Sequence, residues 1–146
     1  MSIRFENKSD LQRERKAVEL FCDIYGYQFK KLGDNDIDFE ITKDDLFICY
    51  LEAKGRKRNI SNCYPLPVAI RKLLKLSEKK RQSVMLWACF DGIVYSRLEN
   101  LKGEIKTGGR KPREGSANDI EIMAYYEESN NLIEASYEVQ KLQREV

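Results

Sequence analysis

The sequence predicts an α/β fold, a mixed central sheet flanked by helices, built by one domain over residues 1–146. Three observations carry that expectation. Residues 10–25 place apolar side chains at helical spacing. Residues 35–54 alternate apolar and acidic residues, as a half-buried hairpin does. Ser83 to Phe90 is an apolar strand, with Asp91-Gly92 as a tight turn and Ile93 to Leu98 as its partner.

The remaining elements follow in order. Asp10 is placed to cap the first helix, with Leu11, Glu14, Ala17, Val18, Phe21 and Tyr25 on one stripe and Gly26 positioned to stop it. Gly26 to Leu32 reads as a first strand with Tyr27 and Phe29 facing the core. Ser61 to Pro67 reads as a loop entering a helix over 66–80, with Pro67 in its first turn and Val68, Ile70, Leu73, Leu74 and Leu76 on its buried side. Leu101 to Ala117, rich in Gly and basic residues, reads as a mobile segment, Asp119 to Tyr126 as a strand, and 131–145 as a helix with Leu132, Ala135, Val139 and Leu142 on one face. Trp87 and Tyr95 read as packing residues.

Composition removes many chemistries. The chain has no His, which excludes Ser-His-Asp and Cys-His hydrolases, His-metal nucleases and H-E-x-x-H zinc enzymes. Thr107-Gly108-Gly109-Arg110 lacks the context of a nucleotide-binding Gly loop, and no Rossmann fingerprint occurs, so no nucleotide cofactor is expected. Cys22, Cys49, Cys63 and Cys89 form no CxxC pair and read as buried free thiols in a reducing compartment. No apolar run approaches the ~20 residues of a membrane span, and no signal peptide is evident. The expected setting is the cytoplasm.

The net charge of +2 conceals an uneven distribution. From Lys54 to Arg113 there are 16 basic and 4 acidic residues, while the remainder carries 10 basic and 20 acidic. A phosphate-binding surface produces such asymmetry. Lys54, Arg56, Lys57 and Arg58 open the basic stretch, Arg71, Lys72, Lys75, Lys79, Lys80 and Arg81 could extend it, and Arg110 and Lys111 sit in the Gly-rich segment. The competing account is a helix that solvates its outer face with lysines, and it suits Lys75, Lys79 and Lys80 better than Lys72.

The hairpin carries the chemistry. Ile37, Phe39 and Ile41 alternate with Asp36, Asp38 and Glu40, a turn falls at Lys43-Asp44-Asp45, and the apolar run Leu46 to Leu51 ends in Glu52-Ala53-Lys54. Period-two geometry puts Glu52 and Lys54 on one side of their strand, and folding back at the turn brings Asp36 or Asp38 beside Glu52. Two carboxylates with a lysine can hold a hard divalent cation and orient or deprotonate a water. The ordinary alternative is a solvated acidic strand face. Glu14, on the apolar stripe of the first helix, needs a cation nearby or a salt bridge to Arg13 or Arg15.

At Asp38, a 13-residue spacer and Glu52-Ala53-Lys54, the chain resembles the PD-(D/E)xK nuclease superfamily. It looks most like small phage nucleases and archaeal-type Holliday-junction resolvases, in which an Asp-aromatic strand leads to Glu-x-Lys-x-Arg, here Asp38-Phe39 and Glu52-Ala-Lys54-Gly-Arg56. No Pro precedes Asp36 or Asp38; the aromatic that follows favours Asp38. The resemblance implies a restriction-endonuclease-like α/β/α sandwich and Mg²⁺-dependent (Mn²⁺ substituting) endonucleolytic hydrolysis of DNA. It further implies Asp38, Glu52, the Ala53 carbonyl and Glu14 as metal ligands, with Glu19 the alternative to Glu14, and Lys54 positioning the attacking water. Arg56, Lys57, Arg58, Lys72, Arg110 and Lys111 are the expected DNA contacts. Junction resolution takes paired incisions, which implies a homodimer, and a phage protein would work in the host cytoplasm. Two rivals stand beside this reading: a non-catalytic nucleic-acid-binding or phage interaction protein on a nuclease-like fold, and a site-specific restriction-type enzyme.

Overall fold

The computed structural model describes residues 8–33, 37–109 and 120–138. Helix α1 (Lys8–Tyr25) leads into strands β1 (Gln28–Lys31), β2 (Phe39–Lys43) and β3 (Leu46–Gly55). Strand β4 (Leu66–Ala69) runs directly into helix α2 (Ile70–Glu78), and β5 (Ser83–Ala88), β6 (Gly92–Arg97), β7 (Glu104–Gly109), β8 (Ile120–Tyr126) and β9 (Ile133–Ser136) complete the order. Six strands form a sheet ordered β1-β2-β3-β5-β6-β9, and β4-β8-β7 form a second sheet. In the large sheet β3 and β5 pair in parallel and the other neighbours antiparallel. It is therefore a mixed sheet, as expected.

Alternation along the strands divides the core in two. Phe39, Ile41, Cys49, Leu51, Ala53, Val84, Leu86 and Ala88 pack under Ala17, Val18, Leu20 and Phe21 of α1. Met85, Trp87, Cys89 and Val94 face the other way, onto Leu66, Val68, Leu76, Ala124 and Tyr126. The second outer layer is thus shared between α2 and the small sheet, which refines the α/β/α expectation. Trp87 is fully buried and its indole N–H donates to the Pro67 carbonyl at 2.8 Å, while the Tyr25 and Tyr95 hydroxyls share a 2.6 Å hydrogen bond. Both aromatics are packing residues, as read. All four cysteines are free and buried, and burial pushes the thiols of Cys22, Cys49 and Cys89 up to about 12, so they stay protonated and inert.

Three elements differ from expectation. Residues 66–69 are a strand, not the first turn of a helix, because Pro65 and Pro67 hold Tyr64 and Leu66 extended and Pro67 offers no N–H. An edge strand tolerates that, and β4 lies at the edge of its sheet, with Pro67 opposite Tyr125. Starting the helix at Ile70 turns Leu74 outward, 57% exposed. Residues 104–109, placed in a mobile segment, pair along β8, and 133–136, placed in a helix, pair along β6. An open strand edge with a ladder to offer overrides a weak helical period. Residues 110–119 and 139–146 lie outside the described residues. At the start, α1 already includes Lys8, so Asp10 sits in its first turn rather than capping it. Gly26 does stop the helix, with φ of +69° and the Tyr27 N–H returning to the Cys22 carbonyl at 2.9 Å.

Gly92 is where β9 comes closest to β6. A Cβ there would collide with the Ala135 carbonyl oxygen and lie 2.8 Å from the Ser136 Cα. Gly92→Ala is expected to lower stability in urea by about 1–3 kcal/mol. Gly55→Ala, with nothing within 4 Å of its new methyl, should leave stability unchanged or slightly raised. Equal effects at the two glycines would contradict the packing of β9 on β6.

Candidate active site

The hairpin β2–β3 turns through Asp44 and Asp45, both at positive φ (51° and 65°), the backbone of a two-residue hairpin turn that Asp tolerates. Thr42 pairs with Phe47, but Ile41 pairs with Cys49, so Ile48 is an extra residue and the register shifts by one. Beyond the bulge Phe39 lies opposite Leu51, and one step further Asp38 lies opposite Glu52. Without the bulge, position 38 would fall opposite Leu51, and the two acids would point to opposite faces.

The backbone locks the pair. The Asp38 N–H donates to Glu52 Oε2 at 3.1 Å, and the Ala53 N–H donates to Asp38 Oδ2 at 2.9 Å. Glu52 is only 4% exposed, and its other oxygen, Oε1, accepts from Lys72 Nζ at 3.1 Å. Burial, then the adjacent Glu52 carboxylate, push Asp38 up to about 6; the Ala53 N–H, Lys72 and Lys31 pull the other way. The part-buried Asp38 and the buried Glu52 carboxylates therefore repel each other, and a cation between them would relieve the repulsion. Lys54, half-buried, follows Glu52 at period two on the same strand face.

The sequence-predicted residues divide clearly. Asp38, Glu52 and Ala53 come together, while Asp36 lies outside the described residues. Glu14 is buried at 6% exposure on α1, one turn before Ala17 and Val18, and α1 covers the sheet face that carries Leu51 and Ala53. Glu52 turns to the opposite face, toward α2. Among the described residues no three His, Cys, Asp or Glu side chains gather closely enough to hold a metal ion. Glu14 thus sits on the helix over the sheet face opposite to Glu52. Of the two arginines beside Glu14, Arg13 bonds Asp10 at 3.1 Å and Arg15 bonds Glu19 at 3.4 Å.

The basic residues also sort themselves. Arg56 clamps a loop: its Nε and Nη2 donate to the carbonyls of Cys63 (2.9 Å) and Pro65 (3.2 Å), and burial lowers its pKa. Lys57 stands 3.6 Å from Asp10 and Arg58 reaches the Asn62 carbonyl at 3.4 Å, both at the exposed rim. Arg110 and Lys111 lie outside the described residues. Lys79 and Arg81 lie over the rings of Tyr50 and Phe47. Lys72, expected as a phosphate contact, instead reaches into the acid pair. Sequence reading missed that because the contact joins a helix and a strand 20 residues apart. It also missed Phe90, 53% exposed in the β5–β6 turn beneath Arg13 (5.2 Å to the ring centre), with its N–H tied to the Arg58 carbonyl at 3.0 Å.

The donor set fits a small hard cation. Mg²⁺ takes one or two carboxylates and keeps several waters, and Asp38 and Glu52, with the Ala53 carbonyl, would be such a donor set. The folded protein binds the Asp38 proton more tightly than the unfolded chain does. Ionised Asp38 therefore destabilises the cation-free fold fully above pH 6, progressively less between about 6 and 3.8, and not at all below. In a chelator, Asp38→Asn is expected to raise the melting temperature well above pH 6, with the gain fading across that window. A loss of stability independent of pH would show that the carboxylate is held rather than repelled.

Among curated proteins and among solved structures nothing matches the chain. A family profile does, over residues 2–131: the family described as "Phage putative PDDEXK endonuclease". That span contains the whole hairpin, both acids, Lys54 and Lys72. PD-(D/E)xK nucleases generally use divalent metals, and the mixed sheet with its flanking helices suits their restriction-endonuclease-like fold. By this match the chain belongs to the phage PD-(D/E)xK endonuclease family.

Proposed function

We propose that this protein is a Mg²⁺-dependent endonuclease that hydrolyses DNA phosphodiester bonds at the Asp38–Glu52 pair, with Mn²⁺ able to substitute. The observation that carries this is the opposition of a part-buried Asp38 and a buried Glu52 across the bulged hairpin, with Lys54 at the next position on the same strand face. Asp38, Glu52 and the Ala53 carbonyl would hold the ion. When bound, such an ion supplies Lewis-acid polarisation of the phosphate and lowers the pKa of water. Lys54 would orient the attacking water and offset the negative charge that builds on the phosphate oxygens. Hydrolysis joins the water oxygen to phosphorus and breaks one P–O ester bond, and the departing oxygen takes up a proton. With no His in the chain, that proton traffic falls to water, lysine or carboxylate.

Structure-selective cutting is the substrate reading we favour. The exposed Phe90 ring, backed by Arg13 and beside Lys57 and Arg58, is a stacking surface with cations around it, suited to a base unpaired at a branch or junction. A homodimer follows from that reading only if both strands of a junction are cut. Among the described residues no helix is long and apolar enough to cross a membrane. The rival reading, a non-catalytic DNA-binding protein, draws on Lys72 being seated on Glu52.

Lys54→Ala is expected to slow cleavage by about 10²-fold or more while DNA affinity, measured with non-supporting Ca²⁺, stays within about twofold. Wild-type and variant proteins are compared on a four-way junction, a flap and a linear duplex with Mg²⁺. Branched substrates should be cut in preference. Wild-type turnover by Lys54→Ala, or no cleavage of any substrate by the wild type, would overturn the enzymatic reading.

A further inference from the structure

We propose that Lys72 works as a two-position ammonium: counter-ion of Glu52 while no divalent cation is bound, and ligand of a DNA phosphate once one is. The inference rests on the cation-dependent reading above and deepens it. Both oxygens of the nearly buried Glu52 carboxylate are engaged, Oε2 by the Asp38 backbone N–H and Oε1 by Lys72 Nζ, each at 3.1 Å. The backbone donor belongs to the sheet register and cannot leave without breaking it. The lysine can. A divalent ion that binds Glu52 therefore takes the oxygen that Lys72 holds, and two cations on one oxygen repel each other strongly where solvent is scarce.

The surroundings let the side chain move while its helix stays put. Leu76 of α2 is buried in the second core, and the preceding residue, Arg71, is fixed to Glu121 of β8 by a 2.6 Å ion pair. Lys72 itself is 28% exposed at the side chain, against 5% for Glu52, so it approaches the acid from the solvent side. A four-carbon stem can swing its ammonium outward without displacing the backbone. Outward is where a phosphate bound at the ion would lie. The displaced charge thus passes from an acid that no longer needs it to a substrate that does.

Thermodynamic reciprocity makes this measurable. Lys72 competes with the ion, so its loss should strengthen ion binding. The freed ammonium strengthens DNA binding, so part of the ion's effect on DNA affinity should depend on Lys72. The test titrates Mn²⁺ by calorimetry into wild type, Lys72→Met and Lys72→Arg without DNA. Anisotropy then measures junction and duplex DNA affinity with and without Ca²⁺, and thermal melts check folding. Lys72→Met should bind Mn²⁺ about tenfold more tightly, and should lose about fivefold or more of the Ca²⁺-dependent gain in DNA affinity, with cation-free DNA affinity unchanged. Lys72→Arg, which keeps the charge, should stay near wild type for Mn²⁺.

Unchanged or weaker Mn²⁺ binding by Lys72→Met, while the wild type binds, overturns the two-position role and leaves the metal site standing. An equal loss of DNA affinity with and without Ca²⁺ overturns it too, because it marks a fixed phosphate contact. Absence of Mn²⁺ binding in all three proteins overturns the metal reading itself, and this inference with it.

Discussion

A single extra residue in a hairpin decides which acids of this protein meet. The turn at Asp44-Asp45 starts the β2–β3 ladder in one register, and the bulge at Ile48 ends it in another. Because side chains alternate with period two, that shift decides whether Asp38 shares a face with Glu52 or with the apolar Leu51. It does share the face of Glu52, and two backbone N–H groups then hold the acids against their mutual repulsion. A bulge also increases local twist, and bulges often re-aim a side chain beside a reactive site. The strain is electrostatic and lies where a cation would remove it.

The large sheet separates what its two faces can contribute. One face is closed by α1 over an apolar layer, and the other receives α2. The lysine that reaches Glu52 therefore comes from the helix after the hairpin. Arg56 belongs to this framework, since it fastens the loop at Cys63 and Pro65 that leads into β4. The rim at the end of β3 keeps the exposed charges, with Lys57, Arg58, Arg13 and the Phe90 ring gathered there.

Much of this was legible in the residues. Strict alternation through Ile37, Phe39 and Ile41, the Asp-Asp turn and the Glu52-Ala53-Lys54 strand end gave the hairpin and its acids, and Asp91-Gly92 gave the β5–β6 turn. The bulge was not legible: an apolar run from Leu46 to Leu51 is the same string whether Ile48 pairs or protrudes. Strand β9 and strand β7 form because neighbouring edges offer a ladder, information that lies far away in sequence. The start of α2 was within reach, because the residue before a proline avoids helical backbone, and two such positions precede Ile70.

The central claim is that Asp38 and Glu52 share one divalent cation. Anomalous diffraction from a crystal soaked in Mn²⁺ tests it most directly. The account predicts one peak within about 2.0–2.6 Å of an oxygen of each carboxylate, with the Lys72 ammonium moved off Glu52. A map with no peak between the acids at millimolar Mn²⁺, and Lys72 still bonded to Glu52, would contradict it.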